Sequence, residues 1–252
     1  MIISLLKMEL YKFFHRKSCL FLLFFPLLPI FYGLGKILNW SSVVIEGDIS
    51  AVNFASMCWL LLGYTGITNI IFVILIANSF SVELRDGQLR LFKLRCNNIS
   101  EIFDAKCISI AIQIIISYLL LYIMAIIIYY TCIANNLNKI TIINSFNDLS
   151  SCIISDFIVT EQLLLICGIE LLACRMFSSS SSIFIGILAS LSPLIISSIP
   201  VIKYIDPEEI LDQFNNSQIS GYQIFIYGCL YIAIILSLTL YSRKKFLKVD
   251  VC

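Results

Sequence analysis

Histidine and charged residues are scarce in this sequence of 252 residues. His15 is the one histidine, and charged residues make up 13% of the chain, against about a quarter in soluble domains. A metal or catalytic site built on histidine needs further ligands or a base at suitable spacing, and His15 has none. We therefore expect no metal site and no catalytic residues. The low charge excludes the soluble globular class.

A phosphate-binding loop is also missing. Such a loop needs a glycine-rich turn that ends in Gly-Lys followed by Ser or Thr. Residues 33–37, Gly-Leu-Gly-Lys-Ile, are the nearest match, and they lack both the upstream glycine and the hydroxyl residue. No GxSxG motif is present either. We therefore expect that the chain is not an enzyme and binds no cofactor itself.

The ten cysteines show no CxxC spacing. Most of them fall within or beside apolar runs, where cysteine behaves as a small hydrophobic residue. One pairing stays open, between Cys132 and Cys152, which are predicted on the same side of a membrane.

Long apolar runs dominate what is present. Hydrophobic residues make up 60% of the chain, and the mean hydropathy is +0.96. A helix needs about 20 apolar residues to cross about 30 Å of hydrocarbon. The sequence therefore predicts an all-α polytopic membrane protein, a single transmembrane domain over residues 1–252. Its six spans are predicted at about 19–38, 57–80, 107–134, 154–175, 180–200 and 222–241.

Two of the spans carry signals about helix shape and packing. The first contains Pro26 and Pro29, which predict a kink because proline has no N–H to donate within a helix. In the fifth, Ser182, Gly186 and Ser190 recur every four residues and so lie on one helical face. Small side chains on that face allow another helix to approach closely.

The first 17 residues predict an amphipathic elbow helix in the membrane interface, with Lys7 and Lys12 near anionic headgroups. A cleaved signal peptide is the competing interpretation. The apolar run at 19–38 is too long for the apolar core of a signal peptide and ends without a small-residue cleavage site, so we keep it as a span. The predicted apolar face of the elbow consists of Ile2, Ile3, Leu6, Leu10, Phe13 and Phe14.

Lysine and arginine are distributed unequally between the predicted loops. With a cytoplasmic N-terminus, 14 of the 17 lie on the cytoplasmic side, and only Lys36, Lys139 and Lys203 lie outside. Because positive residues accumulate in cytoplasmic loops, both termini are predicted in the cytoplasm. Residues 206–214 begin with Asp-Pro-Glu-Glu, a helix-start signal, and predict a short helix at the outer surface.

The stretch 81–106, between the second and third spans, concentrates charge. It holds nine charged residues with apolar residues among them, which is typical of short amphipathic helices that lie against another surface. An acidic residue, a glycine, a leucine-rich segment, a turn and an Ala-Lys pair follow one another. These positions are Glu83, Gly87, Leu91, Leu94, residues 97–100, Ala105 and Lys106.

This order resembles the cytoplasmic coupling loop of type-2 ABC exporter permeases, although Gln88, Asn98 and Glu101 replace its usual Thr, Pro and Arg. The six spans, the elbow and the outer helix resemble the same family over the whole chain. The resemblance implies a bacterial plasma-membrane location, a second permease subunit, same or different, and a separate ABC ATPase in two copies that binds ATP and Mg²⁺. It also implies a coupling helix that docks on the ATPase through Glu83, Arg85, Gly87, Leu91, Phe92, Leu94 and Lys106.

Within this family, the size of the chain and its small predicted outer loops make it most similar to permeases that protect Gram-positive bacteria from lantibiotics and related antimicrobial peptides. The cargo implied by this likeness is hydrophobic or a peptide, and no nucleic-acid partner is expected. Export of another cargo, such as a drug or a lipid, fits the same architecture. A membrane anchor or sensor without transport is the remaining alternative.

Acidic residues in the fourth span are candidates for function, because an ionised side chain at mid-membrane costs about 2.5–3.5 kcal/mol on insertion scales. On a helix, Asp156 and Glu170 lie within about 40° of each other and Glu161 points roughly opposite, so the three form no single cluster. We predict Glu161 and Glu170 as cargo or subunit contacts. The structural alternative places Asp156 and Glu170 near the two interfaces and leaves only Glu161 deep, where a Ser, Tyr or Arg of a neighbouring helix caps it.

Overall fold

The structure is a computed structural model in which the described part of the chain is helical. The described residues are 2–41, 49–85, 99–134, 141–193, 210, 213–214 and 221–247. The helices are α1 (Ile2–His15), α2 (Phe24–Ile37), α3 (Ala51–Tyr64), α4 (Ile67–Arg85), α5 (Ile99–Ile128), α6 (Phe146–Met176), α7 (Ser179–Ser190) and α8 (Gly221–Leu247). A 3₁₀ segment, Lys17–Leu23, leads into α2, and a π-helical segment, Tyr129–Ile133, continues α5.

Four stretches of these helices are long and apolar enough to cross a membrane, or five if a bent pair of helices is counted as one span. The prediction of an all-α protein with several apolar spans is confirmed at this level. The fifth predicted span appears as α7, which has 12 residues, and the following residues 194–209 lie outside the described part. The four stretches are Lys17–Ile37, Ser100–Ile133, Asp148–Met176 and Gly221–Phe246.

The second predicted span is not one straight helix, which corrects the prediction for residues 57–80. It is the pair α3 and α4, whose axes differ by 64°. Between them Gly66 has a φ of +69°, a left-handed conformation that is costly for any residue with a Cβ. Its N–H donates to the carbonyl of Gly63 at 2.9 Å, which ends α3. Apolar composition indicates burial in lipid but carries no information about such a bend.

The first span changes helix type close to its prolines, and the predicted kink stays a prediction. Residues Lys17–Leu23 are 3₁₀-helical, and the chain becomes α-helical at Phe24, just before the first proline. Pro26 lies in the first turn of α2, where N–H groups have no partner within the helix, so only Pro29 removes a regular hydrogen bond from α2. Pro29 is nevertheless buried within α2.

Helix α6 is the centre of the packing, because it contacts α3, α4, α7 and α8. Beside it, Phe25 of α2 packs between Trp59 of α3 and Phe72 of α4, with ring centroids 6.2 and 6.1 Å away. All three rings are buried. The hydrophobic core therefore joins the first span to the bent pair.

Several charged helix ends meet at one end of the bundle. Arg243 of α8 pairs with Asp104 of α5 at 2.7 Å. Arg175, at the end of α6, donates from Nε to the carbonyl of Lys245 at 3.4 Å. Basic residues that were predicted on one side of the membrane thus lie together in the fold, while their assignment to the cytoplasm stays a prediction.

Helix α1 packs on the bundle through Leu5, Glu9 and Phe13, its buried residues, and Leu5 contacts α5. Of the predicted apolar face, Phe13 is buried, whereas Ile3 and Phe14 are 71% and 51% exposed and are not covered by other helices. Glu9 points inward towards a lysine of α5, and this contact orients the helix. The placement of the elbow in the membrane interface stays a prediction.

The predicted outer helix at 206–214 falls mostly outside the described residues. Of that range the structure describes Ile210, Gln213 and Phe214, all helical. Ile210 is buried against Ile158 of α6 and Ile224 of α8.

The small-residue face of the fifth span is confirmed. Ser182, Gly186 and Ser190 are the buried residues of α7. A Cβ at Gly186 would meet the carboxylate of Glu170 on α6 and would lie 2.6 Å from Cγ1 of Val73 on α4. The absence of a side chain at Gly186 is therefore what lets α7 contact both neighbours.

We expect Gly186→Ala to destabilise the protein. Overpacking costs about 1–3 kcal/mol, which exceeds the gain of up to about 1 kcal/mol in helix propensity. The measurement is thermal unfolding in detergent, followed with a dye that reacts with buried cysteines such as Cys58 and Cys167 as they become exposed.

Gly221→Ala is the matched control, because nothing lies within 4 Å of a Cβ at Gly221. An unchanged or higher unfolding midpoint for Gly186→Ala would contradict the close packing of α7.

Candidate functional site

The first candidate site is built around a buried ion pair. Glu83, near the end of α4, and Lys106, in the second turn of α5, each have a side chain only 1% exposed. Lys106 Nζ lies 2.6 Å from Glu83 Oε2 and 3.0 Å from Glu9 Oε2 on α1. The lysine also donates to the carbonyl of Ser79 at 3.1 Å. Three helices thus converge on one ammonium group.

Cations at the end of the N-terminal helix complete the group. Arg16 Nη2 lies 2.7 Å from Glu83 Oε1, and Lys12 Nζ lies 3.4 Å from the same atom. Lys12 also pairs with Glu9 at 2.9 Å. We call Glu9, Lys12, Arg16, Glu83 and Lys106 the ion cluster. Two carboxylates meet three cations, so each acid has more than one positive partner.

The environment of Glu83 keeps it ionised. Burial by itself would raise the pKa of Glu83, but the ammonium of Lys106, assisted by Lys12 and Arg16, outweighs this and holds that pKa below its ordinary value. A buried ion pair is costly to break from one side, because the remaining charge is left without a partner in a low-dielectric surrounding. The cluster therefore fixes the relative positions of α1, α4 and α5.

The predicted coupling residues separate into two groups. Glu83 and Lys106 come together, but within helices rather than in a loop, because α4 continues to Arg85 and α5 begins at Ile99. Both charges are satisfied inside the chain. Arg85 is the last residue of α4. Gly87, Leu91, Phe92 and Leu94 lie outside the described residues.

Sequence reasoning missed three members of the ion cluster. Lys12 was assigned to the anionic headgroups, Arg16 was counted for topology only, and Glu9 was not considered. A signal was present: Glu9 is the one acidic residue in the first 45 residues. A lone acid in a basic amphipathic helix suggests a specific cationic partner.

Asp156 forms a second polar centre, inside the bundle. It accepts hydrogen bonds from Ser56 Oγ at 2.7 Å and from Tyr118 Oη at 2.8 Å. Tyr122 donates to it as well. The carboxylate thus joins α3, α5 and α6. Hydroxyl groups of Ser56, Tyr118 and Tyr122 thus cap Asp156, which the sequence did not lead us to expect.

Glu161 and Glu170 are buried without full hydrogen bonding. Glu161 is 5% exposed and Glu170 is 0% exposed. Among the described residues, neither Glu161 Oε1 nor Glu170 Oε2 has a hydrogen-bond partner. The other oxygen of Glu170 accepts from Cys174 Sγ at 3.1 Å. The prediction that the three acids of this helix form no common cluster is confirmed, since each has different neighbours.

The cysteines of the described residues are free thiols. Cys132 and Cys152 do not pair, and Cys152 Sγ instead donates to Asn53 Oδ1 at 2.9 Å. The disulfide that the sequence left open is not formed. Within the same part of the chain, no group of three His, Cys, Asp or Glu side chains is placed to hold a metal ion.

Comparison of the chain with protein-family models, with curated proteins and with solved structures finds no match. The resemblance to type-2 ABC permeases therefore depends on the pattern of residues in the sequence.

We expect Lys106→Met to destabilise the protein by about 3–5 kcal/mol, because it leaves Glu83 and Glu9 without their buried cation. Lys12→Met is the matched control. Its side chain belongs to the same cluster but is 21% exposed, so its loss should cost about 1 kcal/mol or less. Thermal unfolding of both variants in detergent measures the difference. Equal midpoints would refute a dominant role for the buried lysine.

Acidification should remove the contribution of Glu83. Because its pKa is lower when folded than its ordinary value of 4.5, the stabilisation is complete above that value and is lost as pH falls through the lowered pKa. The unfolding midpoint of the wild type should fall as pH drops below 4.5. Glu83→Gln should be less stable at neutral pH and show a smaller acid-dependent fall. Parallel pH curves for the two proteins would show that Glu83 is not responsible.

Proposed function

We propose that this chain is the membrane permease subunit of an ATP-driven exporter of the type-2 ABC kind. The observation that supports the proposal most strongly is the ion cluster at the ends of α4 and α5. Residues 86–98, which carry the coupling pattern, connect these two ends. Because Glu83 and Lys106 hold the ends against each other, a displacement of the connecting segment would move both helices together.

The route from that segment into the bundle is short. Helix α4 packs against α6 and α7, and it joins α3 through the bend at Gly66. Helix α5 packs against α1, α2 and α3. A push on the α4 and α5 ends would therefore reach the central helix and the first span, while Gly66 offers a point where the bent pair can change its angle. This is the mechanical coupling that an external ATPase requires.

The partners follow from the family resemblance. A separate ABC ATPase, in two copies, would bind ATP and Mg²⁺ and receive Leu91, Phe92 and Leu94 in a groove. A second permease subunit, same or different, would complete the pathway in the bacterial plasma membrane, with both termini cytoplasmic. The proposed activity is removal of a lantibiotic-type antimicrobial peptide from the membrane, for self-protection or resistance.

Copurification of a nucleotide-binding subunit tests the proposal. The affinity-tagged chain is expressed in its native host, purified in detergent and photolabelled with 8-azido-ATP. We expect a labelled polypeptide that copurifies and hydrolyses ATP. Leu91→Asp combined with Leu94→Asp should weaken that association at least about a hundred-fold, because burying each leucine contributes roughly 1.5–3 kcal/mol.

Asn97→Asp combined with Asn98→Asp is the matched control, since it adds the same two charges to the same segment and keeps both leucines. It should retain the ATPase. If the leucine double variant binds the ATPase as well as the wild type does, residues 86–98 are not the coupling element. The lack of any labelled partner would favour the alternative function, a membrane anchor or sensor without transport.

A further inference from the structure

A groove between α6 and α8 contains an acidic side chain in apolar surroundings. Its inner part is lined by Phe157, Glu161, Tyr227, Gly228 and Tyr231, among others. Beside it lies a cavity of about 310 Å³ that shares Phe157, Ile224 and Gly228 with it and is otherwise mostly aliphatic. We call these two adjoining spaces the α6–α8 groove.

The carboxylate of Glu161 has no counter-charge in this groove. Its Oε1 is buried without a hydrogen-bond partner in the described part of the chain. None of the described residues that line either space is basic. A buried polar group without a partner is unfavourable, so a partner from outside the chain would stabilise it.

Glycine at position 228 keeps the space beside the carboxylate open. A Cβ there would lie 3.2 Å from the ring of Phe157 and 3.4 Å from Glu161 Oε1. Aromatic rings of Phe157, Tyr227 and Tyr231 line the same inner part. Aromatic faces attract organic cations, so the rings and the carboxylate favour the same sign of charge.

Glu170 shows that an unpaired carboxylate alone does not make such a site. It is on the same helix and also lacks a partner for one oxygen. However, it is fully buried, and Gly186 of α7 packs directly onto it. Neither space of the α6–α8 groove is lined by Glu170.

We infer that the α6–α8 groove binds a lipophilic organic cation, whose positive group pairs with Glu161 and whose apolar body fills the aliphatic cavity. A metal ion would find only one carboxylate there, because Glu161 is the only acidic residue among the described lining residues. An anion would be repelled by the carboxylate, and a neutral lipid chain would leave it unpaired. This binding requires no ATPase and is separate from the ion cluster.

Binding of tetraphenylphosphonium tests the inference on the purified full-length chain in phosphatidylcholine nanodiscs. We expect saturable binding of the radiolabelled cation at one site per chain. Unlabelled tetraphenylphosphonium should compete, whereas tetraphenylborate, which has the same shape and a negative charge, should not. Glu161→Gln should weaken binding at least tenfold.

Two further variants separate the groove from general effects. Glu170→Gln removes an equally buried carboxylate outside the groove and should bind like the wild type. Gly228→Val keeps Glu161 but fills the space beside it, and it should also weaken binding at least tenfold. If Glu161→Gln is not recovered as a monodisperse protein, the binding measured for Gly228→Val decides whether the groove is the site of the cation.

Three results would overturn the inference. One is the absence of saturable binding to the wild type. Another is undiminished binding in Glu161→Gln or in Gly228→Val. The third is equal competition by tetraphenylborate, which would indicate apolar partitioning without recognition of charge. Because the assay contains no ATPase, these outcomes leave the permease proposal to its own test.

Discussion

The buried contact between Glu83 and Lys106 holds the ends of α4 and α5 in register, and Glu9 attaches α1 to the same lysine. In an apolar environment, hydrophobic burial scarcely distinguishes one helix neighbour from another, because lipid is as apolar as a helix face. A buried ion pair does distinguish them, since each charge needs its partner. The contact between Glu9 and Lys106 likewise accounts for the rotation of α1, which turns Glu9 inward.

The central helix α6 distributes its three acidic residues among different neighbours. Asp156 joins α3 and α5 through hydroxyl groups, Glu170 lies under α7, and Glu161 faces the α6–α8 groove. One helix thus combines a structural carboxylate with one that is available to a ligand. The difference arises from the opposing helix, which supplies hydroxyl donors in one place and a glycine in another.

Sequence reasoning singled out several of these residues without the contacts that they make. The Ser182, Gly186 and Ser190 face of α7 was predictable, because helical spacing and side-chain size are local properties. Glu83 and Lys106 were predicted as docking residues, and their pairing with each other was not foreseen, since nothing local indicates which charges pair. The hydroxyl partners of Asp156 were not foreseen either, because the tyrosines of α5 are distant in sequence.

The amino-acid sequence by itself determined that the chain is an all-helical protein of long apolar segments, because composition and length decide which segments can lie in hydrocarbon. It also determined the angles between the acidic residues around the axis of α6, because these depend only on helical geometry. The tertiary structure decided the bend at Gly66, the inward face of α1 and the partner of each carboxylate. These depend on contacts between residues far apart in the chain, such as Lys106 with Glu9, whose pairing no local pattern records.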